Sequence, residues 1–324
     1  MTTPTATGIP TTNDGSGRAP RLRVDINAGN LFGLPAYTSA PRGDERALLS
    51  AAKAAGFEGV QGGNPALCRE LGLGFTTGGR VNLPAEAEPH AAQAAAAGYA
   101  CSTLHVGWGH EDDDAIARLV EAILDASRKH RLPIYIETHR ATITQDTWRT
   151  VQMVKRFPEV RINADFSHWY TGLEMVYGDF AAKLDFLAPV FERVRFMHGR
   201  IGDPGCMQRD IGATGEGLTY VEHFKEMWTR SFVGFLKTAK PGDYLSFNPE
   251  LLPPGIYYAR LKRAADGSEI EEGDRWQQAI LYGTIARACF AEAQKRVGAT
   301  ATARYTAGPA PSGRRTRRSS RYSS

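Results

Sequence analysis

Val194-Arg195-Phe196-Met197-His198-Gly199-Arg200 is one of four stretches built on a single plan. The others are Pro133-Ile134-Tyr135-Ile136-Glu137-Thr138-His139-Arg140, Val160-Arg161-Ile162-Asn163-Ala164-Asp165-Phe166-Ser167-His168 and Tyr244-Leu245-Ser246-Phe247-Asn248-Pro249-Glu250. Each is an apolar run of four to six residues, rich in Ile, Val, Phe and Tyr, that ends in a polar residue able to bind a metal. Such length and composition suit a buried parallel strand rather than a helix. A helix-like segment follows each run, and in strand–helix alternation the C-terminal strand ends all face one side. Glu137, Asp165, His198 and Glu250 are therefore expected to converge at one mouth, as a mononuclear metal site of three carboxylates and one imidazole.

Four more units precede these. Residues 22–28 read as the first strand, with polar Arg23, Asp25 and Asn27 alternating with Leu22, Val24 and Ile26. A barrel strand has one face inside, so the polar face is expected to point inward and Asn27 to reach the pocket. Further strands are read at 59–63, 74–77 and 101–106, the last with His105 and Trp108 near its end. Helices are read at 45–55, 66–71, 89–97 and 112–130, then at 144–157, 180–193, 220–239 and 274–297 after the ligand-bearing strands. The helix at 112–130 has an acidic first turn and a basic last turn, which complement its dipole. Eight such units in one alternating order predict a TIM (β/α)8 barrel rather than an open doubly wound sheet. The first Gly-rich turn lacks the GxGxxG pattern of dinucleotide binding. Residues 1–20 are expected to be a flexible leader, 21–300 the barrel domain and 301–324 a flexible Arg/Ser-rich tail.

The 324 residues, 42% hydrophobic and 23% charged, have ample material for one large core. The net charge of +4 owes five units to Arg314, Arg315, Arg317, Arg318 and Arg321 in the tail, so the rest stands at −1 and carries no basic bias towards nucleic acid. The four cysteines are scattered without a CxxC pair, and read as reduced thiols of a cytoplasmic protein. Neither a signal peptide nor a membrane span is expected. The partner expected is a small sugar or keto-sugar, with no nucleic acid and no membrane; a homo-oligomer or an accessory subunit is left open.

Three oxygen ligands and one nitrogen make a hard site. Manganese leads, with magnesium, cobalt or zinc as alternatives. Such an ion chelates vicinal sugar oxygens, polarises the carbonyl and stabilises the enediolate formed when an adjacent C–H proton leaves. A single carboxylate after a strand is commonly a helix cap or a salt-bridge partner; the signal is four such endings on consecutive strands.

Ile136-Glu137, Asp165-Phe166-Ser167-His168, Met197-His198 and Asn248-Pro249-Glu250 resemble the metal-ligand strand ends of the xylose isomerase-like TIM barrels. That superfamily includes sugar isomerases, ketose 3-epimerases, inosose dehydratases and endonuclease IV. The resemblance covers about residues 22–297 and is poorly specific for substrate. It implies that Glu137, Asp165, His198 and Glu250 are the ligands, that Glu137 and Glu250 exchange protons with substrate, and that His168 contacts substrate.

Glu137-Thr138-His139-Arg140 departs from the epimerase pattern by placing an imidazole and a guanidinium beside a ligand. His139 could be a base, or a loop histidine bonded to a backbone carbonyl. Arg200 could bind substrate through its fork, or pair with Asp203. His105 and Trp108 could form a pocket wall or pack in the barrel rim. Tyr257 and Tyr258 could cover the site or pack on a neighbouring subunit. The expected activity is a metal-dependent sugar isomerase or epimerase. The alternative is a lyase of the same fold, acting on a keto-inositol or by β-elimination from a 3-keto-glycoside or C-glycoside. An endonuclease IV-like phosphodiesterase would need more strand-end histidines than the eight of the chain supply. A non-catalytic sugar-binding protein fits an intact ligand set poorly.

Overall fold

The first strand of the barrel is broken in two, and the barrel closes on the break. The structure, a computed structural model, describes residues 8–306. β1 (Arg21–Val24) pairs with the last barrel strand, β9 (Tyr244–Pro249), and β2 (Ile26–Asn27) pairs with β3 (Gly59–Gln61). Between them run β4 (Gly74–Val81), β5 (Ser102–Val106), β6 (Ile134–Glu137), β7 (Ile162–Ala164) and β8 (Val194–Gly199), each parallel to its neighbour. This is the expected α/β barrel. One irregularity matters later: Ile162 pairs with Val194 but Asn163 with Phe196, so Arg195 is an extra residue in β8.

The outer layer comprises α1 (Glu45–Ala54), α2 (Pro65–Leu71), α3 (Pro84–Ala97), α4 (Asp113–His130), α5 (Thr147–Arg156), α6 (Ser167–Gly172), α7 (Phe180–Phe186), α8 (Ala188–Phe191), α9 (Thr219–Leu236) and α10 (Arg275–Thr306). Their starts are chemically marked. Asp44, Asp112 and Asp146 each accept a backbone N–H of the first turn, a cap worth about 1 kcal/mol. α4 turns Ile116, Leu119, Val120 and Ile123 inward and leaves its charges to solvent.

Several boundaries differ from the sequence reading. β4 continues to Val81 because its glycines fit close neighbours; a Cβ on Gly79 would lie 2.5 Å from the His90 ring. α3 starts at Pro84, not at 89: Pro84 occupies the first turn, where its missing N–H costs nothing, and Pro89 forfeits one bond within a helix held by the rest. The helix read at 180–193 breaks at Leu187, ahead of Pro189. A short antiparallel hairpin, β10 (Leu261–Arg263) with β11 (Glu269–Glu271), fills part of the loop after β9. α10 runs to Thr306, six residues past the expected domain end.

The leader is the larger correction. Residues 9–20 do not run free: Asn13 bridges Asp243, and Thr12 is buried. Thr12 donates through Oγ1 to the carbonyl of Tyr244 at 2.6 Å, and its N–H reaches the Tyr135 hydroxyl at 3.2 Å. A leader of Thr, Pro, Gly and Ser reads as solvated, but Thr12 and Asn13 satisfy the end of β9 and the floor of the barrel. The remaining leader residues, 1–7, and the tail from 307 lie outside the described residues.

Apolar packing fills the space between strands and helices, and Cys101, Tyr135 and Phe196 plug the lower barrel. Beside that plug lies the polar face of β1. Arg23 donates to both oxygens of Asp25, 2.6 Å from Nη2 to Oδ2, and Ser246 donates to the same carboxylate at 2.5 Å. The pair exists because β3 and β4 begin with glycine: a Cβ on Gly59 would meet Asp25 at 2.6 Å, and one on Gly74 would meet Arg23 at 2.6 Å. No helix among the described residues is long and apolar enough to cross a membrane.

Candidate metal and substrate site

Strand alternation aims every second side chain of β6 to β9 into the barrel. Tyr135 and Glu137, then Asn163 and Asp165, then Phe196 and His198 form ascending layers, and Glu250 caps β9. Glu137, Asp165, His198 and Glu250 each bring one ligand atom within 4.8 Å of all the others. Bonds of about 2.0–2.3 Å to one divalent ion allow at most about 4.6 Å between ligand atoms, so the four stand near that limit. Nδ1 of His198 lies 3.4 Å from Glu137 and 3.3 Å from Glu250.

The donor set fits a metal on three counts. Nε2 of His198 bonds Oε1 of Gln61 at 2.7 Å; since that oxygen only accepts, the proton sits on Nε2 and Nδ1 can offer a lone pair to an ion. Oδ2 of buried Asp165 has no hydrogen bond among the described residues, while Oδ1 is held by Ser167 N–H at 3.0 Å and its hydroxyl at 2.6 Å. Finally, three carboxylates against the Arg200 guanidinium and a neutral imidazole leave two negative charges, which a divalent cation cancels.

Without such an ion the charges lean on one another. Burial pushes the His198 imidazole down, but the Glu250 and Glu137 carboxylates outweigh it and bring it up to about 9. Burial raises Glu137 and Asp165; His198 and His105 reverse this for Glu137, and Arg200 and His168 for Asp165, so both stay below the usual carboxylate range. Arg200 is buried, clamps Glu250 through side chain and backbone, and lies 3.3 Å from Asp165. Asp203 pairs with Arg209 instead. Of the two alternatives for Arg200, the pairing with Asp203 is not made, and the guanidinium lies on Glu250 and Asp165.

Three imidazoles form a wall above the ligands. The His139 ring lies 4.0 Å from that of His105 and 3.8 Å from that of His168, centroid to centroid. His105 reaches Glu137 at 3.2 Å, and that carboxylate raises it against the effect of burial. His139 is pushed down to about 3 by burial and by the charges of His168 and His105. Its Nδ1 bonds the Arg140 carbonyl at 2.5 Å and so carries the proton, which leaves Nε2 as an acceptor 3.3 Å from the Tyr258 hydroxyl. Neither ring nitrogen of His168 has a hydrogen-bond partner among the described residues. Asn27 donates to Glu250 at 3.1 Å and to Gln61 at 3.0 Å. Trp108 is not gathered in: it stands on the rim, 55% exposed, with Arg80 4.3 Å above its ring.

Gln61 and Asn163 were not singled out in the sequence, although both touch the ligands. Asn163 donates to Glu137 at 2.9 Å, and its place two residues before Asp165 was the available signal. Tyr258 covers the site, its ring 4.3 Å from the Arg200 guanidinium, while Tyr257 beside it is 91% exposed with φ +64°.

No protein-family model and no curated protein sequence matches the chain. Solved structures do. An L-ribulose 3-epimerase superposes with a TM-score of 0.52 at 12% identity, over 91% of this chain and 100% of that one. A xylose isomerase-like TIM barrel protein from Mycobacterium smegmatis, in complex with magnesium, gives 0.49 at 14% identity over 86% and 97%. The chain shares the α/β-barrel fold of that epimerase.

Proposed function

We propose that this barrel is an enzyme that removes a proton from the carbon next to a carbonyl of a sugar or keto-sugar, with one divalent ion held by Glu137, Asp165, His198 and Glu250. Bound there, the ion supplies Lewis acidity towards the carbonyl oxygen. The observation that carries the reading is the convergence of those four ligand atoms within 4.8 Å of one another; His139 and the two glutamates compete for the role of base. Glu137 is engaged by Asn163, His105 and His198, and Glu250 by Asn27 and Arg200. His139 carries its proton on Nδ1 and keeps an unprotonated Nε2 beside the Tyr258 hydroxyl, at 3.3 Å. One base on one side serves isomerisation, in which a proton is moved between adjacent carbons, better than 3-epimerisation, which needs a base on each face. His168, whose Nε2 lies 3.5 Å from Asp165, and Nη1 of Arg200, which bonds nothing among the described residues, supply the contacts that orient substrate hydroxyls.

The second reading is a lyase of the same fold. It is favoured by Tyr258, whose phenol lies beside the base and offers a proton to a departing group. The test is metal analysis of the purified protein, followed by incubation with ketoses, inososes and 3-keto-glycosides in D2O. Deuterium in the recovered sugar supports isomerase chemistry; loss of water or of an aglycone moves the reading to the lyase. Exchange that is unchanged in Asp165→Asn protein stripped of metal would overturn both.

A further inference from the structure

The end of the barrel opposite the mouth carries three arginines that the chemistry above does not use. β7 and β8 are in register at Ile162 and Val194, and the Ile162 N–H bonds the Arg193 carbonyl at 2.9 Å. Arg161 and Arg193 are therefore neighbours at the foot of adjacent strands, about 5 Å apart in backbone. The extra residue of β8 adds Arg195 at the same end. Like charges placed side by side on adjacent strands are destabilising unless something neutralises them.

Among the described residues no carboxylate pairs with them, and Glu159 and Asp243 act on Arg161 and Arg195 only from a distance. None of the three forms an ion pair among the described residues, and the nearby carboxylates are taken: Glu159 pairs with Arg128, Glu192 with Lys237, and Asp243 accepts from Thr11, Asn13 and the Lys240 N–H. Arg161 spends Nη1 on the carbonyls of Pro158 and Val160, and Arg195 donates to the carbonyls of Glu192 and Val194 and to the Thr238 hydroxyl, with its guanidinium 5.7 Å from the Phe235 ring centre. Among the described residues, Nε of Arg161 and Nε of Arg193 are buried without a hydrogen-bond partner, and the Arg193 side chain makes no hydrogen bond. Burial and the charges of Arg161 and Arg193 bring Arg195 down to about 10, in keeping with an excess of positive charge here.

We propose that Arg161, Arg193 and Arg195 form an oxyanion site at the foot of β7 and β8, taking a phosphate or carboxylate group whose several oxygens accept from the unpaired guanidinium nitrogens. Paired acceptor oxygens match the planar fork of arginine, which a single chloride cannot do. The site is independent of the metal centre and of the activity read from it.

The test is thermal unfolding in buffer free of multivalent anions, with inorganic phosphate or malonate added against sodium chloride at matched ionic strength. The wild-type melting temperature is expected to rise by roughly 2–4 °C at tenfold excess over Kd. A response to phosphate alone, to malonate alone, or to both supports the site and identifies the oxyanion. Arg193→Ala is expected to melt no lower than wild type without the anion, because a like charge is gone, and to lose the response. Arg193→Gln serves if the alanine variant does not fold. Asp165→Asn should keep the response, which separates this site from the mouth. Equal effects of phosphate, malonate and chloride, or a full response in the Arg193 variants, would overturn the proposal.

Discussion

One nitrogen, Nε2 of His139, separates two ways of moving a proton in this site. If it is the base, His139→Ala should lower kcat by about 10²–10⁴ with metal still bound. If Glu137 and Glu250 carry the protons, the same change should raise KM more than it lowers kcat. Steady-state kinetics beside metal analysis decides, and near-normal kcat would return the role to the glutamates. Gln61 acts at one remove: its oxygen keeps the His198 proton on Nε2. Gln61→Ala should weaken metal binding by about 10–100-fold, as read by competition with a chelator, with the fold retained. These two residues also mark what was legible. The ligand positions stood out because each closes an apolar run on its own strand. Gln61 sits on a strand of three residues and meets His198 at 137 residues' separation, so no local pattern announces it.

Short elements with glycine carry much of the geometry. β3 and β4 open with Gly59 and Gly74, whose missing side chains house the Arg23–Asp25 pair. Gly74→Ala puts a methyl group 2.6 Å from that guanidinium and should cost about 1–3 kcal/mol in urea unfolding, without altering metal content. An unchanged midpoint would mean that the floor yields more easily than its packing suggests. Strands and long amphipathic helices were readable because each period shows within one element. The bulge in β8 and the hairpin after β9 were not, since one depends on register with a neighbouring strand and the other on a loop rich in charge.

At the level of the entire barrel, closure depends on residues that looked dispensable. Ile9 is buried, and Thr12 and Asn13 tie to Tyr244 and Asp243. Deleting residues 1–14 should therefore destabilise the protein by on the order of 3 kcal/mol, from one buried side chain and a few hydrogen bonds. Chemical denaturation of the shortened protein measures it; a loss under about 0.5 kcal/mol would show that β9 closes the floor unaided. The same lacing sets a timetable during synthesis. Thr12 meets Tyr244 across 232 residues, and β1 waits for β9. At translation speeds of about 5–20 residues per second, the first strand leaves the ribosome at least ten seconds before its partner exists. Through that interval β1 has an unpaired edge, and the buried ion pair of Arg23 and Asp25 lacks the Ser246 hydroxyl that completes it. Early-made chain ends are thus held open until nearly the last strand arrives, so a nascent chain stalled before Tyr244 would be a ready client for chaperones.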